Sequence, residues 1–143
     1  MRGASSLNRT VNNIGTNHLR AVQSLLQATE AQSQIIAAEN ILMEKGLDAG
    51  SVQSNFMAFD KAKKVNDESF AVYESLPKSK EGQDRWNQLK VVFDAWCKTH
   101  LDFAHIAQAY WSSPSDDAYN DLKNQVPQNS EAFAPSNGSC IVL

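Results

Sequence analysis

The segment 83–111 constrains the fold of this chain more than any other part of the sequence. Eight of its side chains recur at alternating spacings of three and four residues: Trp86, Leu89, Phe93, Trp96, His100, Phe103, Ala107 and Tyr110. That spacing places them on one narrow stripe of a single long helix, which is typical of helices that pack lengthwise in a bundle. The stripe is mostly aromatic and buries a large area per residue, so we expect it to form the centre of the core.

The same spacing predicts a long first helix and a second helix of intermediate length. Helix 1 is expected from about residue 7 to Lys45, with Gly46 at its C-terminal cap. Helix 2 is expected to start at the N-cap Ser51 and to stop before Pro77. The predicted stripe of helix 1 comprises Leu7, Val11, Ile14, His18, Val22, Leu25, Thr29, Gln32, Ile36 and Met43. The predicted stripe of helix 2 comprises Val52, Phe56, Phe59, Lys63, Asn66, Phe70 and Tyr73.

A fourth helix is predicted to be short. Ser115 suits its N-cap, and Pro127 should kink or end it. Its weaker stripe comprises Ala118, Tyr119, Leu122 and Val126. Four helices with short connections predict an all-α, antiparallel up-down-up-down four-helix bundle over residues 7–133. Residues 134–143 are expected to form a tail, either disordered or left over from expression.

Composition and motifs exclude several classes of function. The net charge is −3 and no dense basic patch occurs, so a nucleic-acid partner is not expected. No run of about 18 apolar residues is present to cross a membrane. The sequence contains no phosphate-binding loop, H-E-x-x-H or G-x-S-x-G, so we expect no enzyme activity. His18, His100 and His105 lack the spacing of a metal site, and we expect no cofactor.

The polar members of the stripes are the candidate ligand-binding residues. Gln32, Lys63 and His100 each lie about 18–21 Å from the same end of the predicted bundle, at ~1.5 Å per residue. A buried lysine is costly unless it is paired or liganded, so Lys63 with His100 is predicted to receive an anion. The rest of the predicted site consists of the hydrogen-bonding Gln32, Asn66 and Thr29 and the apolar Phe59, Trp96 and Phe103. The alternative is an exposed Lys63 and a hydrogen-bonded core His100.

The chain resembles the four-helix-bundle sensor domain of bacterial methyl-accepting chemotaxis receptors. The resemblance covers residues 7–133 and rests on the long first helix, on 31–43, on 72–76 and on 110–119. It implies an extracytoplasmic domain of an inner-membrane protein that works as a homodimer and signals by a small helix displacement. The aspartate-sensing branch uses arginines late in helix 1, whereas 31–40 contains none, so no binding residue is carried over.

The leading interpretation is therefore a sensory domain that binds a small ligand, favouring an anion, between its helices. It would dimerise through helix 1, because the short fourth helix leaves the apolar stripe near Leu7–Val22 uncovered. One alternative is a structural or adaptor bundle whose exposed stripe docks a partner helix. Another is a small bundle that binds haem non-covalently.

Overall fold

The computed structural model describes residues 3–125, with side chains from residue 15 onward. Its helices are α1 (Gly3–Leu42), α2 (Ala49–Ser75), α3 (Lys80–Ser112) and α4, which begins at residue 116 and is described to residue 125. No strand occurs among the described residues, so the all-α, four-helix prediction is confirmed. The alternating direction of all four helices stays a prediction, as do the domain span 7–133 and the tail 134–143.

The helix ends follow from local capping. α1 ends at Leu42, three residues before the expected Lys45, so Gly46 lies in the following turn rather than at the cap; its φ of +83° there favours glycine. α2 begins earlier than expected, because Asp48 rather than Ser51 caps it: the amide of Ser51 donates to Asp48 Oδ1 over 2.6 Å. This backbone hydrogen bond lowers the pKa of Asp48. Ser115 caps α4 as predicted, accepting from the amide of Ala118 at 3.1 Å.

The predicted stripe of α3 is confirmed in full. All eight of its members are buried, from Trp86 to Tyr110. The stripe of α4 is confirmed at Leu122, which is fully buried, while Ala118 and Tyr119 are half-buried. Val126 lies outside the described residues.

Within the described side chains, the predicted stripe of α1 is wrong by one position except at Gln32, which is buried; the side chains of Leu7, Val11 and Ile14 lie outside the described residues. The buried line runs through Ser24, Ala28, Ala31, Ile35, Ala38 and Leu42, joined by Gln32 and Glu39. Of the side chains predicted to be interior, His18 and Val22 are exposed. Three alanines explain the shift, because alanine adds little apolar area to a sequence pattern yet is readily buried where helices approach closely.

The predicted stripe of α2 is correct at alternate positions. Phe59, Asn66 and Tyr73 are buried, whereas Lys63 and Phe70 are not. Their interior places are taken by the preceding residues, which are the small Ala62 and Ser69. As in α1, small side chains occupy interior positions for which the pattern favoured large ones.

The chain divides into two compact units. Unit 1 contains 3–36 of α1 and 58–77, and unit 2 contains 37–57 together with 78–125. Within unit 2, the indole of Trp111 donates to the carbonyl of Leu42 and the hydroxyl of Tyr119 donates to that of Met43, each over 3.2 Å. The last carbonyls of an α-helix have no backbone partner within the helix. At the C-terminal end of α1, side chains of α3 and α4 supply the missing hydrogen-bond donors. None of the described helices is long and apolar enough to cross a membrane.

Candidate functional site

Lys63 is not an interior residue. Half of its side chain is exposed, at 51%, and its Nζ lies 2.5 Å from Asp67 Oδ2, one helical turn along α2. An i,i+4 ion pair of this kind forms on a helix surface, where the aliphatic stem packs and the ammonium reaches water. The expectation of a buried, unpaired lysine is therefore wrong, and with it the main reason for predicting an anion site.

His100 is buried and has an ionisable partner that the sequence pattern missed. Its Nδ1 lies 2.7 Å from Glu39 Oε1, and the two side chains are only 6% and 5% exposed. The imidazole also stacks on Trp96, with 5.9 Å between ring centroids. Both members of the pair belong to unit 2. A signal for Glu39 was present, because it lies seven residues after Gln32 and so occupies the same heptad position.

The interior placement of Gln32 and Asn66 is confirmed. Gln32 Nε2 donates to Asn66 Oδ1 over 3.1 Å, and both side chains are buried within unit 1. Thr29 is half-buried and its hydroxyl donates to the carbonyl of Leu25 in its own helix. The aromatic candidates Phe59, Trp96 and Phe103 are all buried. Ligand binding by any of these residues stays a prediction.

A groove lies between α1 and α2 within unit 1. Its volume of about 530 Å³ falls within the range of small-molecule sites, ~300–1,000 Å³. The groove is lined by Gln27, Glu30, Ala31 and Gln34 of α1 and by Lys61, Val65, Glu68, Ser69 and Val72 of α2. Ala31 and Ser69 are the buried members of this lining. Small side chains at these two buried positions leave a concavity that larger residues would fill.

The lining of the groove combines charge with apolar surface. It contains two carboxylates, Glu30 and Glu68, but a single ammonium, that of Lys61. The carboxylate of Glu68 lies 3.9 Å from the ammonium of Lys64, and both side chains are well exposed. Exposed ion pairs of this kind contribute only ~0–1 kcal/mol to folding stability. Within residues 15–125, neither Glu30 nor Lys61 takes part in an ion pair. The sequence pattern missed this groove because it did not place Ala31 or Ser69 at a helix contact.

The remaining ionisable and sulfur-containing side chains are dispersed. In the part of the chain that is described, no group of three or more His, Cys, Asp or Glu residues could hold a metal ion. His18 and His105 are exposed, and Cys97 is half-buried. Cys140 lies outside the described residues.

Comparisons with protein-family models, curated proteins and solved structures found no match to this chain. Function must therefore be inferred from the residues themselves and from the sequence resemblance.

Proposed function

We propose that this chain is the extracytoplasmic sensory domain of a chemoreceptor-like transmembrane protein, and that it binds a small ligand between α1 and α2. The observation that carries the proposal is the groove of about 530 Å³, whose walls come from both helices. Small-molecule sites are concave, partly apolar and furnished with a few convergent polar groups, and this lining contains all three features. The non-enzymatic character and the membrane setting rest on the sequence resemblance.

The buried amide pair restrains the helix displacement that a ligand in this groove can produce. Gln32 directly follows Ala31, and Asn66 directly follows Val65, so their hydrogen bond lies at the same level along the helices as these two lining residues. A ligand that contacts both walls binds one separation of α1 and α2 better than another. It therefore shifts the population toward that separation by its differential affinity. The hydrogen bond opposes sliding, because a shift of one residue would separate the two amides.

The proposal includes a homodimer through α1. Leu19, Val22 and Leu26 are exposed and follow spacings of three and four residues, so they form an uncovered apolar stripe. A second copy placed on a two-fold axis would cover the stripe with the same residues. We expect light scattering to give a dimer mass for the wild type and a monomer mass for Leu26→Glu. A wild type that remains monomeric at millimolar concentration would exclude this assembly.

A thermal-shift screen on matched variants tests ligand binding. The library should contain amines, organic acids, amino acids and aromatics, and each compound that raises Tm should be repeated on Val72→Phe and Val91→Phe. Val72 lines the groove and is 37% exposed, whereas Val91 lies outside it on α3 and is 70% exposed. Both variants add the same bulk, but only the first fills the groove.

We expect at least one compound to raise Tm in a concentration-dependent manner for the wild type and Val91→Phe, but not for Val72→Phe. A screen without stabilising compounds would contradict the proposal. Compounds that stabilise all three proteins equally would place binding elsewhere. In either case a structural or adaptor bundle, which docks a partner helix on the stripe of Leu19, Val22 and Leu26, becomes the better interpretation.

A further inference from the structure

We propose that the groove between α1 and α2 selects a small primary ammonium ion. This inference rests on the proposed function, because it names the ligand class of the same groove. It also reverses the charge expected from the sequence, since the lining carries two carboxylates and one ammonium.

The two carboxylates lie on opposite walls at one level. α1 and α2 are joined by only six residues, 43–48, and such a short connection reverses the chain direction. The hydrogen bond between Gln32 and Asn66 fixes one pair of facing positions. Glu30 lies two residues before Gln32, and Glu68 lies two residues after Asn66, so both stand ~3 Å along the helices from that bond.

An ammonium group matches this level of the groove in charge and in hydrogen bonding. It carries three N–H donors and no acceptor. Glu30 and Glu68 offer carboxylate oxygens, and the neighbouring Gln27 offers an amide oxygen. Glu30 has no ion pair within the described side chains, so binding a cation there displaces none of those side chains from it. Charge-assisted hydrogen bonds of this type are stronger than neutral ones.

The rest of the lining accepts a short apolar chain. Val65 and Val72 lie seven residues apart on one face of α2, and Ala31 contributes a methyl group from α1. Lys61 lies seven residues before Glu68, which places it ~10 Å away along the helix axis. At that separation solvent and salt weaken the repulsion between the Lys61 ammonium and a cation held by the two carboxylates, whereas a second positive charge nearer to Lys61 would be opposed more strongly. A monoamine with a short alkyl chain fits this arrangement, because its ammonium meets the two carboxylates and its alkyl chain meets the apolar side chains.

Titration of the full chain with two probes of opposite charge tests the inference. Amide chemical shifts should be recorded with n-butylammonium chloride and with sodium butyrate at constant ionic strength. The test variant is Glu30→Gln with Glu68→Gln, which removes both charges at nearly unchanged shape. The control variant, Glu44→Gln with Glu81→Gln, removes two exposed carboxylates outside the groove. Far-UV circular dichroism of each variant checks that the helices are retained.

We expect butylammonium to shift amides of 27–34 and 61–72 saturably, with an approximately tenfold weaker Kd in the test variant and an unchanged Kd in the control. An unchanged Kd in the test variant, or no saturable shift with butylammonium, would overturn the inference. If butyrate alone shifts these amides, the charge preference is overturned while ligand binding in the groove stands. If neither probe shifts them, the cation inference fails, and the wider thermal-shift screen decides the proposed function separately.

Discussion

Two buried polar pairs attach α1 to its neighbours, and they differ in kind. Gln32 bonds to Asn66 of α2 within unit 1, and both side chains are neutral amides. Glu39 bonds to His100 of α3 within unit 2, and both side chains are ionisable. Gln32 and Glu39 lie one heptad apart, so one helix uses equivalent positions for two chemistries.

The difference in chemistry predicts a difference in how each pair tolerates substitution. Breaking a buried ionisable pair leaves a group whose charged form is poorly solvated, whereas breaking an amide pair leaves only dipoles. Neither pair needs to contribute much net stability, because hydrophobic replacement of both partners can be neutral. What the pairs do fix is position, since each bond forms in only one alignment of its two helices.

The largest loss of folding stability is expected from His100→Leu. The substitution leaves the carboxyl of Glu39 buried without its imidazole partner, which should lower the free energy of unfolding by about 3–5 kcal/mol. Urea unfolding followed by circular dichroism measures this change. A loss below about 1 kcal/mol would show that the pair is not desolvated as described.

The double variant Glu39→Leu with His100→Leu separates the cost of a broken pair from the contribution of the intact one. We expect it to recover most of the stability that His100→Leu loses, because no carboxyl remains buried. The coupling energy from the complete double-mutant cycle should accordingly be large. Additive losses from the two single variants would contradict the assignment of these residues as a pair.

A smaller loss of folding stability is expected from Asn66→Leu. The substitution leaves the buried amide of Gln32 without this acceptor, which should cost about 1–3 kcal/mol. The same urea experiment gives the value. The comparison between the two pairs breaks down if Asn66→Leu proves as costly as His100→Leu.

The smallest loss of folding stability is expected from Asp48→Ala at the start of α2. Asp48 is exposed, and its hydrogen bond from the Ser51 amide keeps its pKa below the ordinary 3.8. A pKa that is lower in the folded state adds stability above the ordinary value, and this contribution is lost as the pH falls through the lowered pKa. The variant should therefore melt slightly below the wild type at neutral pH, with a gap that narrows in acid. Asp48→Asn, which keeps a capping oxygen, is the control, and a gap independent of pH would exclude the charge as its source.

The buried face of α3 was predicted well because large aromatic side chains at a helical spacing gain much from burial and are rarely left exposed together on one face. The buried face of α1 was predicted less well because Ala28, Ala31 and Ala38 carry little pattern signal although they are buried. The candidate site shows the same contrast. His100, Gln32 and Asn66 were correctly expected inside, whereas Lys63 was not separable from an interior residue by spacing alone.

The groove could not be predicted from the sequence, because a concavity is created by what neighbouring side chains leave unfilled. Ala31 and Ser69 become informative only when α1 and α2 are brought together in the correct rotation. An error of one residue in each helix, Ile36 for Ile35 in α1 and Phe70 for Ser69 in α2, turned the predicted interior face by about 100°, so neither small residue was recognised as a helix contact. The same error placed the expected ligand in the core rather than on the face between two helices.

The most direct test of ligand binding between α1 and α2 is a map of amide chemical shifts with the strongest compound from the thermal-shift screen, whatever its charge. We predict saturable changes concentrated in 27–34 and 61–72, which contain every residue that lines the groove. Saturable changes centred instead on 96–103, around the buried His100, would contradict this location and return the ligand to the interior.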